Sequence, residues 1–158
     1  MNDLVRKIGE ELKASRAMLV TAESCTGGGV AQALTSIAGS SEWFERGFIT
    51  YSDDSKHDLL GVRSETLARH GAVSEETARE MARGALERSK GTLALAVTGV
   101  AGPGGGSSAK PVGMVCFAWA SKGAVRSETQ RFSGERESVR KQSVIRALQG
   151  VLEQLAGG

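Results

Sequence analysis

The chain has 158 residues, within the ~100 to 200 of one ordinary domain, so a second catalytic domain has no room. Hydrophobic residues make up 40% and charged residues 24%, close to the proportions of soluble globular chains, which excludes a disordered or fibrous protein. Twenty Lys and Arg against eighteen Asp and Glu leave a net charge of +2, too small and too evenly spread for a surface that tracks nucleic acid.

The longest apolar stretches, 18–22 and 93–97, fall far short of the ~20 residues that span a bilayer. The N-terminal MNDLVRKIGEELK reads as a charged amphipathic helix and not as a secretory signal. No membrane contact is therefore expected, and the cytoplasm is the expected location. Cys25 and Cys116 share no CxxC spacing, and with only two histidines the chain supplies no zinc set. Reduced thiols and no metal are expected.

In chain order, Leu4, Val5, Ile8 and Leu12 behind Asn2 and Asp3 predict an amphipathic helix over 3–15. Residues 18–22 suit a buried strand, which feeds a helix over 27–37 through Glu23-Ser24-Cys25-Thr26. A second strand is predicted at 48–52, with helical stretches at 55–60 and 64–69. Ser74 caps a further helix with Glu75 and Glu76 in its first turn and Gly91 just past its end. Residues 93–98 form a third strand, and the glycine-rich 99–106 segment cannot be regular structure. Strands at 114–120 and 125–132 make an antiparallel hairpin joined by 121–124, and a last helix covers 135–155. Strands with helical crossovers plus a hairpin predict an α/β fold of three layers, α/β/α, around a mixed, mainly parallel sheet. The whole of 1–158 reads as a single domain.

Three segments hold candidate chemistry. In Thr21-Ala-Glu-Ser-Cys-Thr-Gly-Gly-Gly29 a hydroxyl and a thiol stand where a strand meets a helix N-terminus, whose amides favour an anion or oxyanion. A plain turn capped by Ser24 or Thr26 is the simpler reading, but three glycines exceed what a cap needs and suggest close approach by a ligand. The 99–106 loop has no GxxxxGK[ST], and its GxGxxA stretch is followed by Lys110-Pro111 and a strand, so a dinucleotide-binding reading fails. If its strand lies parallel to the first, the loop reaches the same sheet edge as Ser24. Tyr51 ends its predicted strand five residues before Lys56. With His57 and His70 both on polar helical stretches, Lys56 is the better base for a serine nucleophile, and Tyr51 a relay. The residues alone favour a core-edge tyrosine and a solvated surface lysine.

Taken together, AESCTGG, YSDDSK, GAVSEETA, AVTGVAGPGGG and KPVG resemble the C-terminal domain of the CinA competence/damage-inducible proteins, a family that includes stand-alone nicotinamide-nucleotide amidases. The resemblance runs from about residue 4 to 155. It implies a three-layer α/β/α fold related to anticodon-binding-like domains and hydrolysis of the carboxamide of nicotinamide mononucleotide without metal or other cofactor. It also implies self-association as a homo-oligomer. Carried onto this chain, it implies Ser24 as nucleophile, Tyr51 and Lys56 as its activating partners, and Thr98 and Gly99 as substrate-binding, with Thr26, Gly27, Gly28 and Gly102 as further candidates. Two departures stand out: Asp53 or Asp54 replaces a frequent Asn, and Ser107-Ser108-Ala109 replaces a Thr-Pro-Glu-like stretch. The pyrophosphatase-type domain of larger members is not expected here.

Arg136 and Arg140 lie four apart at the start of the last helix, where the dipole disfavours cations. Local pairing with Glu135 and Glu137 is one explanation. The family resemblance at GERESVR favours the other, in which they grip the phosphate of a small-molecule nucleotide substrate, Arg140 more than Arg136. Two rival activities are a non-catalytic nucleotide-binding module and an amidase for another small amide.

Overall fold

The structure, a computed structural model, describes residues 1–157. Its elements are α1 (Asn2–Ala14), β1 (Leu19–Glu23), α2 (Gly29–Thr35), a 3-10 turn (Ser40–Glu42), β2 (Phe44–Ile49), α3 (Asp53–Leu60), α4 (Ser64–His70) and α5 (Glu75–Glu87). β3 (Leu93–Gly99), β4 (Met114–Ser121), β5 (Ala124–Arg131) and α6 (Arg136–Gly157) complete the chain. The strands form one sheet in the order β2-β1-β3-β4-β5. β1 pairs parallel with β2 and β3, and β4 runs antiparallel to both β3 and β5, so the sheet is mixed and β4 alone opposes the common direction.

The apolar run of β3 is continuous because both faces of the sheet are covered. Leu93, Leu95 and Val97 join Leu19, Phe117 and Trp119 beneath α1, α2 and α6. Ala94 and Ala96 face the other way with Val20, Ala22, Ala118 and Ala120, against Ala78, Met81, Ala82 and Ala85 of α5. Five strand alanines on that side let α5 sit close to the sheet, while the larger side chains fill the thicker layer opposite. No helix among the described residues is long and apolar enough to cross a membrane.

From β1 the chain goes outward to β2 and returns to β3 on β1's other side. The order therefore reverses at the carboxyl ends of β1 and β3, the place where open α/β sheets leave a crevice. The largest difference from the sequence reading is β2, which spans Phe44–Ile49 and not 48–52. Glu45, Arg46 and Gly47 hide it, since an edge strand needs only partial burial and carries no clean alternation. Tyr51 consequently lies two residues beyond its strand. The helix predicted at 27–37 begins only at Gly29, because Gly27 and Gly28 adopt φ of +58° and +103°. The hairpin joint is shorter than expected: Ser121 pairs with Ala124, leaving Lys122-Gly123 as the turn.

Candidate active site

Ser24 follows β1 directly, and its N–H extends the β1–β3 ladder by donating to the Val97 carbonyl at 3.0 Å. This puts its side chain, nearly buried, on the floor of the crevice. Lys56 arrives from α3, whose start is fixed by a reciprocal cap: Ser55 N–H donates to Ser52 Oγ at 3.0 Å, and Ser52 N–H to Ser55 Oγ at 3.1 Å. One residue further on, Lys56 faces inward and is 1% exposed. Its Nζ lies 2.9 Å from Ser24 Oγ, 2.8 Å from the Thr50 carbonyl and 3.3 Å from the Tyr51 carbonyl.

Burial holds the Lys56 amine below the ordinary lysine range, partly opposed by the nearby charge of Asp53. A neutral amine has two N–H donors and one lone pair. With the donors on the two carbonyls, the lone pair is left for the Ser24 hydroxyl, so a proton can pass between Oγ and Nζ. Cys25 offers no such chemistry, since burial pushes its thiol up to about 12 and keeps it protonated at neutral pH. His57 is turned away, its Nδ1 lying 2.8 Å from the Val62 carbonyl.

A cleft of about 160 Å³ opens over this pair, lined by Ser24, Lys56, Thr98, Gly99, Ala101 and Arg136 among others. Thr98 Oγ1 donates to the Ala72 carbonyl at 3.0 Å, tying the loop before α5 to the cleft wall. At Gly99 a Cβ would stand 2.9 Å from the Met114 carbonyl oxygen, so a side chain there would displace β4. The Tyr51 ring is 63% exposed at the mouth, and its hydroxyl meets Arg136 Nη2 at 3.3 Å instead of Ser24 or Lys56. Arg136 Nη1 also donates to the Gly102 carbonyl at 2.8 Å. A second cavity of about 580 Å³, lined by Ala101, Pro103, Val112 and Gly134 to Arg136, lies on the other side of the arginine. Arg136 and Ala101 border both spaces.

Other expected site residues lie outside the cleft. Thr26, Gly27 and Gly28 do not line the cleft. Thr26 Oγ1 donates to Glu23 Oε1 at 2.5 Å, and the two glycines supply left-handed backbone that residues with a Cβ rarely adopt. The positive φ of Gly27 and Gly28 thus gives the glycine run a backbone cause. Arg140 also turns from the cleft: its Nε and Nη2 donate to the carbonyls of Cys25 and Thr26 at 3.1 and 3.3 Å. Neither arginine forms an ion pair with Glu135 or Glu137; both are held by oxygens across the site. The departing Ser107-Ser108-Ala109 stretch makes an exposed turn closed by Ser107 and Lys110, away from Ser24.

The residue that sequence reasoning missed is Glu23. Although the end of an apolar strand is a costly place for a carboxylate, it is 1% exposed. Oε1 accepts from Thr26 Oγ1 and from the amides of Gly28 and Val30 at 3.2 and 2.9 Å, and Oε2 from the Ala31 amide at 3.0 Å. The start of α2, expected to bind an anion, is therefore filled by the protein's own carboxylate. A lone acid closing an apolar run just before hydroxyls and glycines was the available signal. Among the described residues no three His, Cys, Asp or Glu side chains converge as metal ligands.

Fold and site together define an α/β protein with a buried serine–lysine pair at the switch point of a mixed sheet. The chain belongs to the CinA C-terminal domain family, whose sequence profile matches residues 1–155. It is 52% identical over 152 residues to the nicotinamide-nucleotide amidohydrolase PncC of Escherichia coli K12, covering 96% of this chain and 92% of that protein. A protein of the same name from Pseudomonas putida is 51% identical over 150 residues, covering 95% and 94% of the two chains. The crystal structure of a competence/damage-inducible protein from Agrobacterium tumefaciens superposes with a TM-score of 0.94 at 48% identity, covering 98% of this chain and 94% of that one.

Proposed function

We propose that the protein hydrolyses the carboxamide of nicotinamide mononucleotide to nicotinic acid mononucleotide and ammonia, with Ser24 as nucleophile and Lys56 as its base. The observation that carries this is the 2.9 Å contact between a buried serine hydroxyl and a buried amine of lowered basicity. The names of the bacterial relatives supply the substrate. Ser24 Oγ attacks the amide carbon as its proton moves to Lys56 Nζ, and the carbonyl takes up the electron pair as an oxyanion. Collapse breaks the C–N bond, Lys56 returns the proton to the departing nitrogen, and ammonia leaves. Water then attacks the Ser24 ester, with its proton passing to Lys56 and on to Ser24 Oγ as the carboxylate is freed.

A cleft of about 160 Å³ admits an aromatic carboxamide but not a whole nucleotide, so the ribose phosphate leaves the crevice past Arg136. Ammonia release from the mononucleotide, the riboside and unrelated small amides, measured side by side, tests the reading. Release from the mononucleotide with Ser24 required supports it, and tight nucleotide binding without release replaces it with a binding module.

Arg136→Ala is expected to lower kcat/KM for the mononucleotide by about ten- to a hundredfold, the worth of a charge-assisted contact, and to change use of the riboside much less. Arg140→Ala, acting through the turn carbonyls, should reduce both substrates alike. Steady-state kinetics on the pair checks this, and equal losses in the Arg136 variant would give it a role other than reading the phosphate.

The pH dependence follows from Lys56. Activity needs the neutral amine, so kcat/KM falls as pH drops through the Lys56 pKa. The Asp53 carboxylate raises that pKa by favouring the ammonium form. Asp53→Asn therefore moves the acid limb of the profile to lower pH while leaving the plateau near wild type. A limb that stays in place or moves upward would dissociate it from Lys56.

A further inference from the structure

We infer that Glu23 is a positioning residue for acyl transfer: its buried carboxylate fixes the turn behind Ser24 and so holds the amide of Cys25, a residue that lines the cleft, as donor to the oxyanion. The inference rests on the acyl-serine reading proposed above.

The turn contains seven successive amides after Ser24, and their partners divide cleanly. Gly27 N–H donates to the Ser24 carbonyl and Gly29 N–H to the Thr26 carbonyl. Glu23 takes those of Gly28, Val30 and Ala31. The amides of Cys25 and Thr26 donate to no protein oxygen among the described residues, and the Cys25 amide faces only its own thiol sulfur, a weak acceptor. In acyl transfer by a serine on a strand-to-helix turn, the amide just after the nucleophile is the natural oxyanion donor, provided that the backbone is held in advance of the reaction. The Cys25 amide, at the cleft and opposed only by a weakly accepting thiol, has a use there; the five amides of Gly27 to Ala31 would compete for the same charge if they were not occupied.

Ordinary capping does not explain the arrangement. The residue before α2 is Gly28, with φ +103° and no side chain, so the cap is supplied from five residues upstream and from inside the sheet. A carboxylate rooted in β1 ties the helix start to the strand that carries Ser24, which a local Ser or Asp cap cannot do. The main chain of the same residue reaches the base. The Glu23 carbonyl accepts from Thr50 N–H at 2.9 Å, and the Thr50 carbonyl accepts from Lys56 Nζ at 2.8 Å. Lys56 closes the circuit on Ser24 Oγ. Residue 23 thus sets the nucleophile's turn with its side chain and the lysine's holder with its backbone. Arg140, bonded to the Cys25 and Thr26 carbonyls, braces the same turn.

The test combines Glu23→Gln, Thr26→Val and Thr26→Ser in the full chain, with kcat and KM for ammonia release from nicotinamide mononucleotide and the thermal midpoint of each. Glu23→Gln turns one acceptor into a donor facing backbone amides; kcat should fall about a hundredfold with KM little changed, as misplacement of a reacting group produces. Thr26→Val deletes one donor to the carboxylate without altering side-chain shape; kcat should fall about tenfold, with the midpoint lowered only by the few degrees that one lost hydrogen bond costs. Thr26→Ser restores the hydroxyl and should return kcat to within about twofold of wild type. If Glu23→Gln does not fold, the two Thr26 variants decide alone. Wild-type kcat in Thr26→Val, a loss expressed only in KM or midpoint, or no recovery in Thr26→Ser overturns the inference. Ser24→Ala run alongside separates the two claims: an active Ser24→Ala removes the acyl-serine reading, whereas an inactive one beside an undisturbed Thr26→Val leaves that reading and removes this one.

Discussion

Ser24→Ala is expected to lower ammonia release from nicotinamide mononucleotide by about a thousandfold or more while the fold persists, because the reaction loses the atom that forms the covalent bond. Stability should change by only about 1 kcal/mol, the worth of one hydrogen bond, since Lys56 keeps its contacts to the Thr50 and Tyr51 carbonyls. Cys25 is the internal control. It adjoins Ser24 and is intrinsically the better nucleophile, but its thiol, pushed up to about 12, supplies almost no thiolate at neutral pH. Cys25→Ala should therefore retain most of the activity, and thiol-alkylating reagents should inhibit poorly. An active Ser24→Ala together with an inactive Cys25→Ala would transfer the nucleophile's role to the thiol.

The architecture was legible wherever one physical signal dominated. Leu4, Ile8 and Leu12 mark α1 by spacing alone, and the Ser74 side chain caps α5 as its sequence suggests, accepting from Thr77 N–H at 3.1 Å. The layer order followed from strands with helical crossovers. β2 was misplaced because Glu45 and Arg46 at an open edge look like loop, whereas Phe48 to Tyr51 look like strand. That error matters for the site: beyond Ile49 only the Thr50 amide still bonds to β1, and the carbonyls of Thr50 and Tyr51 receive Lys56. No periodicity reports a side-chain contact across 32 residues of chain, so the pairing of Ser24 with Lys56 came from family resemblance. The arginines show the limit of helical spacing. Four residues apart implies a shared face, but it is also one turn along the helix axis, which puts Arg136 at the cleft and Arg140 at the turn behind it.

Lys56→Arg separates charge from basicity. The guanidinium keeps a cation at the site and can still donate to the carbonyls of Thr50 and Tyr51, but it does not give up its proton in a protein. If Lys56 served only to attract the substrate or stabilise the oxyanion, arginine would preserve much of the rate. As a base it must lose a proton before it can take one from Ser24, and burial already favours that neutral form. Turnover in Lys56→Arg is therefore expected to fall by about a hundred- to ten-thousandfold, the range of general-base contributions, and to match Lys56→Ala within about tenfold. The residual rate should also lose the acid limb that Lys56 imposes on the wild-type pH profile. Near-normal turnover in the arginine variant, or an acid limb unmoved by the change, would leave Lys56 as a source of positive charge and require the proton from Ser24 to go elsewhere.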